Sequence, residues 1–162
     1  MRNFILTVVF LLMSVASFGQ DFKLYKTKNA HTQLLVNTVT GAVSQVQDDG
    51  NNWQIVGPID PNGGYTNRFV LYETENIWNF IELDTFTGRV WLVQFSVDGV
   101  ENRLCLPINT EILANSRDHS IFVIEPLKSM YQYHLINQET GRMWIFQWST
   151  QGNDYRWMKA IQ

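Results

Sequence analysis

The 162-residue chain has few of the features from which a function can be identified by sequence alone. Cys105 is its only cysteine, so no intrachain disulfide can form and stability has to come from the core. The 12 basic and 15 acidic side chains give a formal net charge of −3, and lysine and arginine do not cluster. This balance argues against nucleic acid and anionic membrane surfaces as partners. No run after residue 20 is long and apolar enough to span a bilayer, so we expect no stable membrane insertion.

Catalytic and metal-binding signatures are also missing. His31, His119 and His134 do not have the spacing of metal ligands, and neither a phosphate-binding glycine loop nor a nucleophile elbow occurs. We therefore expect no metal site, no cofactor and a non-catalytic function. The alternative is a small periplasmic hydrolase, with an active site built from the polar residues Asp98, Glu101, Arg117, Asp118 and His119.

The first 19 residues have the layout of a signal peptide. Arg2 provides a positive start, residues 4–16 form an apolar stretch, and Ser17 and Gly19 place small residues at a cleavage site before Gln20. The apolar stretch of 13 residues is too short to cross a bilayer as a helix. The sequence therefore predicts an exported protein, periplasmic or extracellular.

Three stretches of the chain align without gaps. They begin at Phe22, Phe69 and Phe122, and read FKLYKTKNAHTQLLVNTVTG, FVLYETENIWNFIELDTFTG and FVIEPLKSMYQYHLINQETG. Such self-similarity is typical of repeat architectures. We predict one all-β domain over residues 20–162, made of three repeats at about 21–59, 68–108 and 121–161.

Each repeat is predicted to form four antiparallel strands. In the middle copy these are about 68–72, 78–84, 89–96 and 103–108, which are rich in aromatic and β-branched residues. Asp84 is predicted to cap the turn between the second and third strands, where Gly88 supplies a positive φ. Arg89 is predicted to form an exposed ion pair with Glu82. Both faces of the third strand are apolar, so we expect it to be covered on both sides.

The hairpin FIELDTFTGRVWLV at 80–93, echoed by YHLINQETGRMWIF at 133–146, resembles the strand–turn–strand of β-propeller blades, most closely those of quinoprotein-type propellers. The resemblance implies a propeller-like arrangement with pseudo-threefold symmetry. Propellers have 4–8 blades, and this chain has only three copies of the unit. For this reason we infer from the resemblance neither a closed ring nor a quinone cofactor, and we assign no site residue from it. A β-trefoil and a β-prism are the alternatives that three four-stranded repeats also fit.

Glutamines recur at one position of the repeat, at Gln47, Gln94 and Gln147. In a threefold arrangement they would occupy equivalent points around the axis, where three amides could bind a ligand. The alternative is that each amide satisfies backbone groups at the end of a strand.

Aromatic residues recur at two further positions. Trp91 and Trp144 either form an exposed row that stacks on sugar rings or pack in the core, and core packing is favoured in so aromatic a chain. Trp78 and Tyr131 precede the second strand, where they could form a binding rim or cover the end of the sheet. From these patterns we predict an exported binding or adaptor module for a glycan, peptide or protein; a structural protein built from stacking repeats is a further alternative.

Cleavage of the signal peptide is directly testable. We expect the exported protein to begin at Gln20, with or without cyclisation to pyroglutamate, because the small residues at the predicted site fit signal peptidase. Intact-mass spectrometry of the exported protein measures this, and an uncleaved N-terminus would contradict it.

Overall fold

The structure is a computed structural model that describes residues 21–116 and 118–162. The predicted signal peptide and Arg117 lie outside the described residues. Within the described part, no helix is both long enough and apolar enough to cross a membrane.

The described chain folds into twelve β-strands and two single-turn 3₁₀ helices. The strands are β1 (Phe22–Lys26), β2 (Thr32–Asn37), β3 (Val43–Gln47), β4 (Asn52–Val56), β5 (Phe69–Glu73), β6 (Asn79–Asp84), β7 (Val90–Gln94), β8 (Leu104–Asn109), β9 (Phe122–Pro126), β10 (Gln132–Asn137), β11 (Met143–Gln147) and β12 (Trp157–Ala160). They form sheet 1 (β1–β4), sheet 2 (β5–β8) and sheet 3 (β9–β12), each an antiparallel meander in which neighbours in sequence are paired. The predicted all-β domain of three four-stranded repeats is therefore confirmed.

The turn between the second and third strands of each sheet is built as the sequence predicts. The Asn37 side chain accepts hydrogen bonds from the backbone N–H groups of Val39 and Thr40, and Asn137 does the same in sheet 3. Asp84 accepts the equivalent bond from the Phe86 N–H. A side chain that caps its own turn fixes the hairpin register, and with it the face to which every strand residue points.

The three sheets stack in chain order, with sheet 2 in the middle. One core lies between sheets 1 and 2 and includes Leu34, Val36, Phe69, Phe80 and Trp91. The other lies between sheets 2 and 3 and includes Ile81, Leu83, Leu92, Phe122 and Trp144. Because strand residues alternate between faces, β7 sends Trp91 to one core and Leu92 to the other. The prediction that this strand is covered on both sides is confirmed.

The stack has two edges with different connections. The first, which we call the loop edge, carries the short loops that join β1 to β2 and β3 to β4, together with their equivalents in sheets 2 and 3. The second, the hairpin edge, carries the capped turns and the long connections 57–68 and 110–121 between sheets. Backbone bonds from Phe69 N to Thr38 O and from Phe122 N to Thr85 O tie each sheet to the turn of the sheet before it.

The described residues close neither a barrel nor a ring. Sheet 1 and sheet 3 each pack against sheet 2 and leave their other face uncovered. The sheets share no strand pairing, and they are held together by the two cores, the connections and the backbone bonds from Phe69 and Phe122.

The hairpin glycine Gly88 provides a test of this packing. Its φ is +76°, and a Cβ added there would lie 3.0 Å from the Phe122 ring of the next sheet. Gly50 has a similar φ of +87°, but nothing among the described residues lies within 4 Å of its added Cβ. We expect Gly88→Ala to destabilise by about 1–3 kcal/mol more than Gly50→Ala, since both carry the conformational strain and only the first is overpacked. Urea unfolding measures the difference; equal midpoints would contradict the contact.

Candidate functional site

Two adjoining cavities open at the loop edge, and together we call them the loop-edge groove. One has a volume of about 340 Å³ and lies beside sheet 3, and the other, of about 250 Å³, lies beside sheet 2. They share Asn76, Asn79 and Thr150, so they form one continuous depression between the two sheets. Concave sites with a few convergent polar groups are where small ligands bind. Their further lining residues include Trp78, Gln94, Phe95, Ser96, Asp98 and Asn102 on one side, and Tyr131, Gln147, Trp148, Ser149, Gln151 and Tyr155 on the other.

The floor of the groove is held by the loop between β5 and β6. The Thr74 hydroxyl is 3.0 Å from the Asn76 carbonyl and 2.9 Å from that of Asn79, and so closes the loop. The Asn76 side-chain oxygen accepts bonds from the Trp78 N–H at 2.9 Å and from the Asn79 amide nitrogen at 2.8 Å. The amide of Asn79 is therefore fixed in orientation before any ligand arrives.

The side-chain oxygen of Asn79 is left without a partner. The residue is only 3% exposed, its amide nitrogen is used by Asn76, and its oxygen is buried and makes no hydrogen bond. A buried acceptor that is left unpaired costs about 1–3 kcal/mol, because its bond to water is lost and not replaced. Asn79 lines both cavities, but the oxygen itself is covered in this structure. A ligand hydroxyl or N–H would recover that free energy once a neighbouring group moves aside and exposes the oxygen.

Two aromatic pairs stand beside the groove. Trp78 packs on Phe95 with ring centroids 5.3 Å apart, and Tyr131 packs on Trp148 at 5.0 Å. Trp148 is buried and its indole N–H bonds to the Met130 carbonyl, so it fixes the ring beside it. Tyr131 remains 46% exposed. The sequence predicted either a binding rim or a cover for these two aromatics, and in the structure Trp78 lines one cavity of the groove and Tyr131 the other.

The recurrent glutamines do not form a ring. The Gln94 amide donates to the Asn102 carbonyl at 2.8 Å, and the Gln147 amide donates to the Tyr155 carbonyl at 3.2 Å. For Gln94 and Gln147 these bonds agree with the alternative in which the amides satisfy backbone groups. Gln94 and Gln147 still line the two halves of the groove, whereas Gln47 lies at the same end of sheet 1 and lines neither half.

The tryptophans of the third strands belong to the core. Trp91 is 8% exposed and packs between sheets 1 and 2, and Trp144 is 6% exposed and packs against Phe122 at 5.9 Å. The favoured core assignment is therefore confirmed, and these two residues form no exposed row for sugar rings.

The residues proposed for a hydrolase do not come together. Asp98 and Glu101 follow β7 at the loop edge, whereas Asp118 and His119 precede β9 at the hairpin edge. The exposed His119 ring contacts Asp118 at 2.6 Å and Glu139 at 2.8 Å, and the hydrogen bond to Asp118 is the first cause of its raised pKa. Among the described residues no three His, Cys, Asp or Glu side chains are placed to hold a metal ion. Asp98 and Glu101 thus lie at the edge of sheet 2 opposite to Asp118 and His119, and no single site contains all four residues.

A buried charge network lies at the hairpin edge instead. Arg68 makes two bonds to Asp84, at 2.9 and 2.8 Å, and a third to Asp60 at 2.7 Å. Arg89 also bonds to Asp84 at 2.8 Å, which corrects the predicted exposed pair with Glu82: the arginine follows the turn and reaches the turn-capping carboxylate. Burial alone would raise the pKa of Asp84, but hydrogen bonds from Arg68 and two further side chains lower it. The two arginines are thereby neutralised, although they border an open cavity of about 720 Å³.

Glu82 is the most unusual titratable group. It is fully buried on the face of sheet 2 that meets sheet 1, and neither carboxyl oxygen has a hydrogen-bond partner. Burial, with the neighbouring Asp84 charge, raises the pKa of this carboxyl well above its usual value. Glu82 lines no part of the loop-edge groove, so it has no contact with a ligand bound there. Cys105 is inert as well, since burial raises the pKa of its thiol to about 12.

Sequence reasoning missed the two asparagines at the centre of the groove. A signal for them exists, because a polar residue begins the second strand in every repeat: Thr32, Asn79 and Gln132. What singles out Asn79 is its unpaired oxygen, and this depends on how the preceding loop closes around Asn76.

Comparisons with protein-family models, with curated proteins and with solved structures give no match for this chain.

The buried Glu82 generates a prediction about pH. Because its folded-state pKa is raised, its favourable contribution is present below its unfolded pKa, about 4.5, and is lost as pH rises above that value. We expect Glu82→Leu, which restores the leucine of positions 35 and 135, to stabilise more at pH 7 than at pH 4. Between pH 4 and pH 7 the stabilisation by this substitution should increase by about 1.4 kcal/mol for each pH unit that lies between the unfolded-state and the folded-state pKa of Glu82.

Urea unfolding of wild type and Glu82→Leu at both pH values measures this effect. Asp84, whose lowered pKa acts in the opposite direction, remains in both proteins, so the comparison isolates Glu82. An identical pH dependence of the two proteins would contradict the assignment of a neutral Glu82.

Proposed function

We propose that this protein is an exported, non-catalytic binding module whose loop-edge groove holds a glycan. The observation that carries the proposal is Asn79, which lines both cavities and whose side-chain oxygen has no hydrogen-bond partner among the described residues. Export is part of the proposal and rests on the N-terminal sequence.

The chemistry of the lining favours a neutral ligand that is rich in hydroxyl groups. Apart from Asp98, the residues that line the groove are amides, hydroxyls and aromatic rings. Amides can donate and accept hydrogen bonds at once, which matches sugar hydroxyls, since these also do both. An anionic ligand would lose its hydration here without gaining an opposite charge.

The exposed Tyr131 ring supplies the apolar half of such a site. Sugar rings present C–H groups on their faces, and these pack on an aromatic ring held in place. Because Trp148 supports the tyrosine from behind, little conformational entropy is lost when a ligand stacks on it.

A matched pair of tyrosines tests the proposal. Tyr65 is 47% exposed and packs on Phe86 at the hairpin edge, so it is equivalent to Tyr131 in exposure and in support but lies away from the groove. We expect Tyr131→Ala to weaken glycan binding about tenfold or more, which is roughly 1.4 kcal/mol, and Tyr65→Ala to leave it unchanged.

Binding is first detected on a glycan array and then measured by calorimetry with the best ligand, for wild type and both variants. Equal loss in the two variants would place the ligand outside the groove. If no glycan on the array bound and a peptide bound at the groove instead, the proposed ligand class would be wrong.

A further inference from the structure

Sheet 1 exposes apolar residues that its counterparts bury. Phe22 is 56% exposed and Leu24 is 52% exposed, on the face of sheet 1 turned away from sheet 2. The same repeat positions in sheets 2 and 3 are 5% exposed or less, because in each case the preceding sheet covers them. Those counterparts are Phe69, Leu71, Phe122 and Ile124. Sheet 1 therefore has the apolar face that a preceding sheet covers in the other two repeats, and among the described residues nothing covers it.

The hairpin glycines of sheets 1 and 2 contact the phenylalanine that begins the next sheet, and the hairpin glycine of sheet 3 has no such contact. A Cβ on Gly41 would lie 2.7 Å from the Phe69 ring, and one on Gly88 would lie 3.0 Å from the Phe122 ring. Each turn thus forms a seat for the first phenylalanine of the following sheet. Gly141, the third member of the series, has no described atom within 4 Å of its Cβ position. Among the described residues, therefore, no phenylalanine packs on Gly141 of sheet 3, and Phe22 of sheet 1 packs on no hairpin glycine.

Sheet 3 leaves the matching face open. Ile136, Met143 and Ile145 are half-buried on its outer side. Five of their six counterparts in the first two sheets are apolar core residues that the following sheet covers; these are Val36, Val43, Leu83, Val90 and Leu92. The sixth, Gln45, is polar and also fully buried. The outer face of sheet 3 therefore has the apolar surface for a following sheet.

A tyrosine crosses each internal interface. The Tyr25 hydroxyl accepts a bond from the Leu71 N–H of sheet 2, and the Tyr72 hydroxyl is bonded to the backbone of Ile124 in sheet 3. The equivalent position in sheet 3 is Glu125, which lies on the outer face beside His134 and is exposed. A carboxylate accepts a backbone N–H as a hydroxyl does, so this position keeps the acceptor that the interface uses.

The two open faces carry one pair of opposite charges at matching positions, Glu125 and Lys26, while Lys159 is a further charge on the outer face of sheet 3. By the repeat register, the partner of Glu125 would be the Leu24 N–H of a second chain. Lys26 lies two residues further along the same face of β1, next to that position. A head-to-tail contact would therefore bring Glu125 of one chain to Lys26 of the other.

We propose that two copies of this chain associate head to tail and close a ring of six sheets, in which Phe22 of each copy sits on Gly141 of the other. The contact is heterologous, and such contacts repeat until a ring closes. Rings of stacked four-stranded sheets hold 4–8 sheets, and with three sheets in each chain only two copies satisfy this range. The resulting six interfaces would all use the phenylalanine-on-glycine contact that the chain forms twice internally.

The mass of the purified protein in solution tests the stoichiometry. The gene is expressed at full length, and light scattering after size exclusion is combined with native mass spectrometry. We expect one species of twice the chain mass. The proposal would be overturned if the protein were monomeric at roughly 100 µM, a concentration at which a dimer of ordinary affinity is formed. A series of growing polymers would also overturn it.

Charge reversal tests the head-to-tail geometry. We expect Lys26→Glu and Glu125→Lys each to raise the dimer dissociation constant at least tenfold, and the double variant to recover the affinity, because the pair is then restored with opposite sign. If Glu125→Lys had no effect while Lys26→Glu did, sheet 1 would pair with sheet 1 of the other copy and the ring would be excluded.

Leu24→Glu is expected to give monomers, since it places a charge in the apolar contact. Val100→Glu is its matched control: Val100 is 71% exposed in the loop before β8, away from both open faces. Circular dichroism checks that both variants retain the all-β fold. A folded Leu24→Glu protein that remains dimeric would overturn the proposal.

Discussion

Burial of apolar side chains between successive sheets is the constraint on which this structure depends. A four-stranded sheet has two faces and cannot bury either by itself, and no disulfide substitutes for that burial. Sheet 2 meets the requirement fully, with Leu83, Leu92 and Val93 entirely buried. Sheets 1 and 3 meet it on one face only. The loop-edge groove lies between two such packed sheets, and the proposed association of two chains would complete the burial of the open faces.

Polar groups in this core are organised in two opposite ways. At the hairpin edge the buried Asp84 is matched by two arginines and by its own turn, so its charge is retained and its pKa lowered. Glu82 lies two residues before Asp84 on the same face of β6. Its carboxyl group has no hydrogen-bond partner among the described residues, so its neutral form is favoured. The two residues face the same interface, and what separates their behaviour is whether a connection between sheets delivers an arginine to them.

The loop-edge groove combines a rigid scaffold with one unsatisfied group. Thr74 and Asn76 close the loop, Trp148 supports the exposed Tyr131, and the oxygen of Asn79 remains without a bond. Native interiors contain few such unpaired acceptors, and Asn79 also lines both cavities, which is why we place the proposed ligand there. That the amides and hydroxyls around it carry no charge is what directs the proposal to a glycan.

The sequence by itself determined the three repeats, the four strands of each, the capped turns and the two-sided burial of β7, because period-two alternation and turn chemistry are local properties. It also left Trp91 and Trp144 open between a sugar-binding row and the core, with the core favoured. Only the tertiary structure decided that the sheets stack in an open series, that Arg89 reaches Asp84 rather than Glu82, and that Asn79 lacks a partner. These facts depend on which sheet lies against which. One repeat does not encode its neighbour's position, so the contacts between repeats appear only when the chain is folded.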